Sequence, residues 1–186
     1  MVLVDKDFVT KKEAVTKVFI EDMTKLMNDP ETADFTGNKS FEVHKAVLGA
    51  RSEVFRTMFL SNLKEVVEGE AVITDVNEET LQEVLHYLYT GKLSGKDYGI
   101  QSLCYAADKY HLDTLTDLIC QEIRKSVLQV GEVAEVFISA EMFGKEELFK
   151  VAMEKLRENK EMMDDSKFEE MLTKRPKLLY KIMKKK

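Results

Sequence analysis

The sequence predicts an α+β fold, a small β-sheet flanked by helical hairpins, extended at its C-terminal end by an all-helical segment. Three observations predict it. Apolar residues recur at helical spacing in nearly every window after about residue 77. Short alternating segments that suit strands are confined to the stretch between residues 31 and 73. Only two prolines and eight glycines occur in 186 residues, too few for an all-β chain built on tight turns.

The elements follow in order. From Lys12 to Asn28, Val15, Val18, Phe19, Met23, Leu26 and Met27 fall at helical spacing, and Asn28-Asp29-Pro30 ends the run. Glu31–Thr36 and Ser40–Val43 read as two strands about a Gly37-Asn38 turn, and Ala71-Val72-Ile73 as a third. Lys45–Ala50 and Glu53–Leu60 read as short helices. Asn77 can cap the next helix, whose Leu81, Val84, Leu85 and Leu88 form a stripe that Thr90-Gly91 closes. Helices then follow around Leu103, Leu115, Val136, Phe149, Phe168 and Ile182. The softest boundary is near Leu128–Gly131, which divides the chain into 1–30, 31–126 and 127–186.

Composition restricts function. With 44% hydrophobic and 33% charged residues, the chain reads as globular and soluble. Lys174–Lys186 holds seven basic residues and no acidic one, so the first 173 residues carry 21 basic against 34 acidic, a net of −13. An acidic body repels nucleic acid. The N-terminal MVLVDKDF meets a charge by its fifth residue, unlike a signal peptide, and no apolar run reaches membrane-spanning length. The expectation is an intracellular protein of nucleus or cytoplasm, binding neither nucleic acid nor membrane.

Chemistry is sparse. His44, His86 and His111 share no ligand spacing, Cys104 and Cys120 sit in apolar helical patterns, and no nucleotide, dinucleotide, serine-hydrolase or zinc-protease motif occurs. The pairs Glu78-Glu79, Asp164-Asp165 and Glu169-Glu170 suit helix starts. His44-Lys45 could be a base and its charge partner, but a lone histidine between strand and helix is a structural hydrogen-bonder before it is a catalyst. Met23, Met58, Met142 and Met153 are at core spacing. In the tail, Leu178, Leu179, Ile182 and Met183 suit a docked amphipathic helix better than a free basic arm. No catalytic residue, cofactor site or metal site is expected.

One stretch is specific. FEVHKAVLGARSEVFRTMF, Phe41 to Phe59, combines an aromatic, His-Lys, Ala-Arg-Ser and Phe-x-x-Met-Phe. It resembles the signature of the BTB (POZ) domain. VITDVNEETLQEVLHYLYTGKL and LCYAADKYHLDTL continue the resemblance in order from Glu31 to about Ser126. The chain is most similar to the speckle-type group, which joins a substrate-binding MATH domain to BTB and a shortened BACK-like tail; 127–186 suits that tail, and too few residues precede the first helix for a MATH domain. One departure is PETADFTGNKSF, where Glu31 takes the place of the family's strand-starting Asp.

The resemblance implies a protein–protein adaptor: a homodimer that recruits the N-terminal domain of cullin-3 and serves an E3 ubiquitin ligase as receptor for an unknown substrate. It implies cullin contacts at Phe59, Leu63, Glu65 and Tyr110. The apolar stripe of the first helix would then bury itself in a second copy through Val15, Val18, Phe19 and Met23. The alternative is a BTB oligomerisation scaffold, transcriptional or cytoskeletal, without cullin binding.

Overall fold

The computed structural model describes residues 6–37, 41–61, 69–71, 73–95 and 99–184. They form two compact units, Met1–Gly95 and Lys96–Lys186.

The first unit opens with α1, Lys6–Met27. It begins six residues before the expected Lys12, because Lys6–Lys11 contains neither Gly nor Pro to break it. Its end is as expected. The Asn28 and Asp29 amides turn back to Lys25 and Leu26 carbonyls, Asn28 Nδ2 donates to Thr24 O at 2.8 Å, and Pro30 follows.

The sheet is shorter than expected. Strands β1 (Phe35–Gly37), β2 (Phe41–Val43) and β3 (Glu70–Ala71) stand in the order β2-β1-β3. β1 pairs antiparallel with β2, Phe35 opposite Val43, and parallel with β3, Thr36 opposite Glu70. Glu31–Asp34 is not strand, because the Asp29 carboxylate organises it as a turn: Oδ1 accepts the Glu31 amide at 3.0 Å and Oδ2 the Thr32 hydroxyl at 2.9 Å. The acidic residue directly before the strand is therefore Asp34, not Glu31. Its amide donates to Val43 O, and its Oδ1 accepts the Lys45 amide at 2.7 Å, at the start of the next helix.

Helices α2 (Lys45–Arg51) and α3 (Glu53–Leu60) meet at Ser52, whose hydroxyl accepts the Phe55 amide. Leu48 and Phe55 are buried, and Phe59 sets its ring edge-on to Phe35 at 5.0 Å between centroids. Next comes α4, Glu78–Thr90. Asn77 caps it by accepting the Thr80 amide at 2.8 Å, and Gly91 ends it at φ 71°, where any Cβ would be strained. Leu81, Val84, Leu85 and Leu88 are buried as the stripe requires, but so are Thr80, Glu83, Tyr87 and Tyr89, making α4 the central helix of this unit. Glu83 is buried by serving the loop after the helix: its carboxylate accepts the Ser94 amide at 2.6 Å and the Ser94 hydroxyl.

The second unit is helical: α5 (Ile100–Lys109), α6 (Asp113–Lys125), α7 (Val130–Met142), α8 (Glu146–Glu158), a 3-10 turn at Lys160–Asp164, α9 (Ser166–Lys174) and α10 (Pro176–Lys184). α7 and α8 form a hairpin, and Phe137 at its centre meets Phe149 and Phe168 edge-on at 5.5 and 6.0 Å. A buried lysine holds α6 to α8: Lys155 Nζ donates to the Arg124 and Ser126 carbonyls at 2.9 Å each and to Glu158 at 3.0 Å. The orphan carbonyls at the C-terminus of α6 thus receive a cation, as the helix dipole favours.

Two core expectations fail here. Met142 is exposed, because it falls on the outer side of the last turn of α7. In α10, Leu178 and Ile182, four residues apart, are buried, whereas Leu179 and Met183 face outward.

Candidate protein-interaction site

Among the described residues, helix α1 is anchored towards its C-terminal end. It packs against α4, with Ile20, Met23, Leu26 and Met27 partly buried. Farther towards its N-terminus, Val15 is 70% exposed, Phe19 57%, and Val18 is exposed between them. Positions i, i+3 and i+4 share one helix face, so the three form an apolar stripe that Met23 continues into the packed half. Charged pairs lie beside it, Lys17 with Glu21 at 3.9 Å and Lys25 with Asp22 at 3.2 Å. An apolar stripe with a charged border is the form of a protein interface.

A second surface lies at the end of α3, and its support begins at His44. The Tyr89 hydroxyl accepts the His44 amide at 2.9 Å and lies 2.7 Å from His44 Nδ1. Thr32 donates its only proton to Asp29, so its oxygen, 3.0 Å from His44 Nε2, accepts from that nitrogen. The ring therefore carries its proton on Nε2, and Nδ1 accepts from Tyr89. His44 is buried among structural partners; it is no general base facing a substrate. Burial holds the Tyr89 phenol above its ordinary range, although the His44 amide bond works in the opposite sense. This junction fixes α2, and the Ser52 cap fixes α3 upon it. At the end of α3, Phe59 is half-buried and Leu60, beside it, is 75% exposed.

A family model of the BTB/POZ domain matches residues 23–127, more than half of the chain. The chain belongs to the BTB/POZ family. Among solved structures, the BTB domain of zebrafish PATZ1 is similar at 20% identity, over 62% of this chain and 95% of that chain, with a TM-score of 0.47. By its family match the chain has the α+β BTB/POZ fold with a helical extension, and it is a protein-interaction and oligomerisation module of a family whose domains generally self-associate as dimers and are typically not enzymes.

Within this BTB chain the expected contact residues fare unequally. Val15, Val18 and Phe19 are together and exposed, and Met23 is half-buried beside them. Phe59 has its ring edge on Phe35 and offers part of its surface. Leu63 and Glu65 lie outside the described residues. Tyr110 is 3% exposed, with its amide turned back to Ala106 O at 3.0 Å and the Lys109 ammonium 5.1 Å from its ring centre. The exposure of Leu60 is not signalled by the sequence, because its helical phase next to Phe59 does not mark it as surface.

The remaining reactive groups are quiet. Cys104 and Cys120 are free and buried, and burial pushes their thiols up to about 12 and about 11, far from the thiolate a nucleophile requires. Glu78 and Glu79 occupy the first turn of α4, where they complement its dipole. Among the described residues no cluster of His, Cys, Asp and Glu could hold a metal ion, and no helix is long and apolar enough to cross a membrane.

Proposed function

We propose that this chain is a homodimeric BTB adaptor of the speckle-type group that recruits the N-terminal domain of cullin-3 and acts as the substrate-receptor part of an E3 ubiquitin ligase, in nucleus or cytoplasm. The observation that carries the proposal is the exposed Val15-Val18-Phe19 stripe of α1. Burying such side chains in a second copy is worth roughly 1.5–3 kcal/mol for each, enough to hold two chains together once several contribute from both sides. Met23 would sit at the inner end of that seam.

For cullin, the support is the surface at the end of α3. Phe59 and the exposed Leu60 lead directly into Leu63-Lys64-Glu65, the hydrophobic-x-Glu pattern that the BTB resemblance associates with cullin binding. An apolar anchor beside an acidic rim is how small interfaces concentrate their affinity. Residues 127–186 would be the BACK-like extension. Two copies in one particle would present two cullin sites and two receptor arms, which raises avidity without new contacts.

Titration calorimetry of this chain against the cullin-3 N-terminal domain tests the proposal. Saturable binding is expected, weakened about tenfold or more by Leu63→Ala, Glu65→Lys or Leu60→Asp. No measurable binding by the intact chain overturns the adaptor role and leaves an oligomerisation scaffold. Binding that survives all three substitutions removes the assigned contact.

A further inference from the structure

The outward face of α10 is used by nothing described above. The helix is held by Leu178 and Ile182, both buried. At 100° per residue the remaining positions separate into two adjoining rows. Tyr180 (65% exposed) and Met183 (66% exposed) make an apolar row; Lys177, Lys181 and Lys184, at i, i+4 and i+7, make a basic one. Together with Pro176, the lysines and Tyr180 line a surface groove. The basic row is not neutralised by its own fold. Lys174 is paired with Glu170 at 2.6 Å and Arg175 with Glu141 at 2.8 Å, but Lys177, Lys181 and Lys184 have no ion-pair partner among the described residues. The Lys181 ammonium stands 5.6 Å from the Phe149 ring centre, a contact that leaves its charge available.

From this pairing we infer that the outer face of α10 docks a short acidic segment of a partner protein, its carboxylates over Lys177, Lys181 and Lys184 and an apolar side chain against Tyr180 and Met183. Charge complementarity selects an acidic occupant, and the rest of the molecule selects its kind. A nucleic acid long enough to be held by phosphate contacts would meet the net −13 of the first 173 residues. A short peptide fits within three helical turns and covers the apolar row, which phosphates would leave exposed.

The probe is a fluorescent, acetylated peptide of three Glu-Glu-Leu-Phe repeats, titrated against the full chain. Saturable binding that weakens as salt rises is expected. Lys177→Glu with Lys181→Glu and Lys184→Glu should abolish it, and Tyr180→Ala with Met183→Ala should weaken it about tenfold. All five positions are exposed, and unchanged thermal melts verify that Leu178 and Ile182 still hold the helix. Absence of binding to the intact chain, or equal binding by both multiple variants, overturns the inference. So does an oligoglutamate of equal charge that binds as tightly, since the apolar row would then be idle. Tighter binding by single-stranded DNA of equal charge would assign the face to nucleic acid instead.

Discussion

The Tyr89 hydroxyl serves His44 twice, accepting its backbone amide at 2.9 Å and meeting its ring nitrogen Nδ1 at 2.7 Å. One phenol on the central helix α4 thereby fixes both the strand-to-helix corner and the ring that reaches on to Thr32 and Asp29. Three segments separated by up to 60 residues in sequence, Asp29 to Tyr89, share this chain of bonds. Tyr89→Phe keeps the ring and deletes the oxygen, leaving a buried amide and a ring nitrogen without acceptor and donor. A loss of about 1–3 kcal/mol in unfolding free energy is expected from urea titration. A change below about 0.5 kcal/mol would mean that the corner is held by packing alone.

His111 is the only non-glycine residue described with positive φ, at 52°. It follows Tyr110 at the end of α5, where its own amide returns to Asp108 O at 3.1 Å and the Leu112 amide to Ala107 O at 2.8 Å. That pair of bonds is the Schellman closure, which places the residue in the left-handed region. Glycine adopts this conformation without a Cβ penalty, so His111→Gly should stabilise the chain by about 0.5–1 kcal/mol, raising its melting temperature by a few degrees. A lowered melting temperature would show that the imidazole makes a contact worth more than the strain.

The two buried thiols give a signed pH dependence. Both have folded-state values above the ordinary 9.0, about 12 for Cys104 and about 11 for Cys120, with burial the first cause. Above pH 9 the unfolded chain releases thiol protons that the folded chain retains, so the unfolded state binds fewer protons and stability falls with rising pH. Their contribution is complete below about pH 9 and is lost as pH rises towards 11–12. Denaturation midpoints at pH 7 and pH 10 should differ more for the native chain than for Cys104→Ala. Equal differences would assign the alkaline loss to other groups, Tyr89 among them.

Much of this fold was legible because its signals are local. Asn77 and Gly91 bracket α4 by cap chemistry that depends on neighbouring residues alone, and the i, i+4 pair Leu178 and Ile182 marks the inner face of α10. The first strand misled because Asp29 decides where it begins. Its carboxylate bonds Glu31 and Thr32 into a turn, and no alternation of apolar residues can report a competing side-chain contact. Glu83 and Lys155 were illegible for a related reason: each is a charged residue in helical phase whose burial depends on partners 11 or about 30 positions away, Ser94 for one, Arg124 and Ser126 for the other. At the interaction surface, the stripe of α1 was readable from spacing. That Leu60 is exposed and Tyr110 enclosed depends on how α3 and α5 end, which spacing does not encode.

The stripe of α1 yields the most direct prediction. Val15, Val18 and Phe19 are exposed, three large apolar side chains on one face, so a substitution there should leave the folded chain intact and act on association. Phe19→Asp places a carboxylate at the centre of the proposed seam, where its twin from the second copy would stand close by, and like charges removed from water repel strongly. Sedimentation velocity should show the native chain as a dimer and Phe19→Asp as a monomer, with the far-UV circular dichroism of the two superimposable. Glu13→Gln, also on α1 and exposed, serves as the control for a helix-wide effect. If Phe19→Asp remained dimeric, the self-association expected of a BTB chain would have to use a face other than this one.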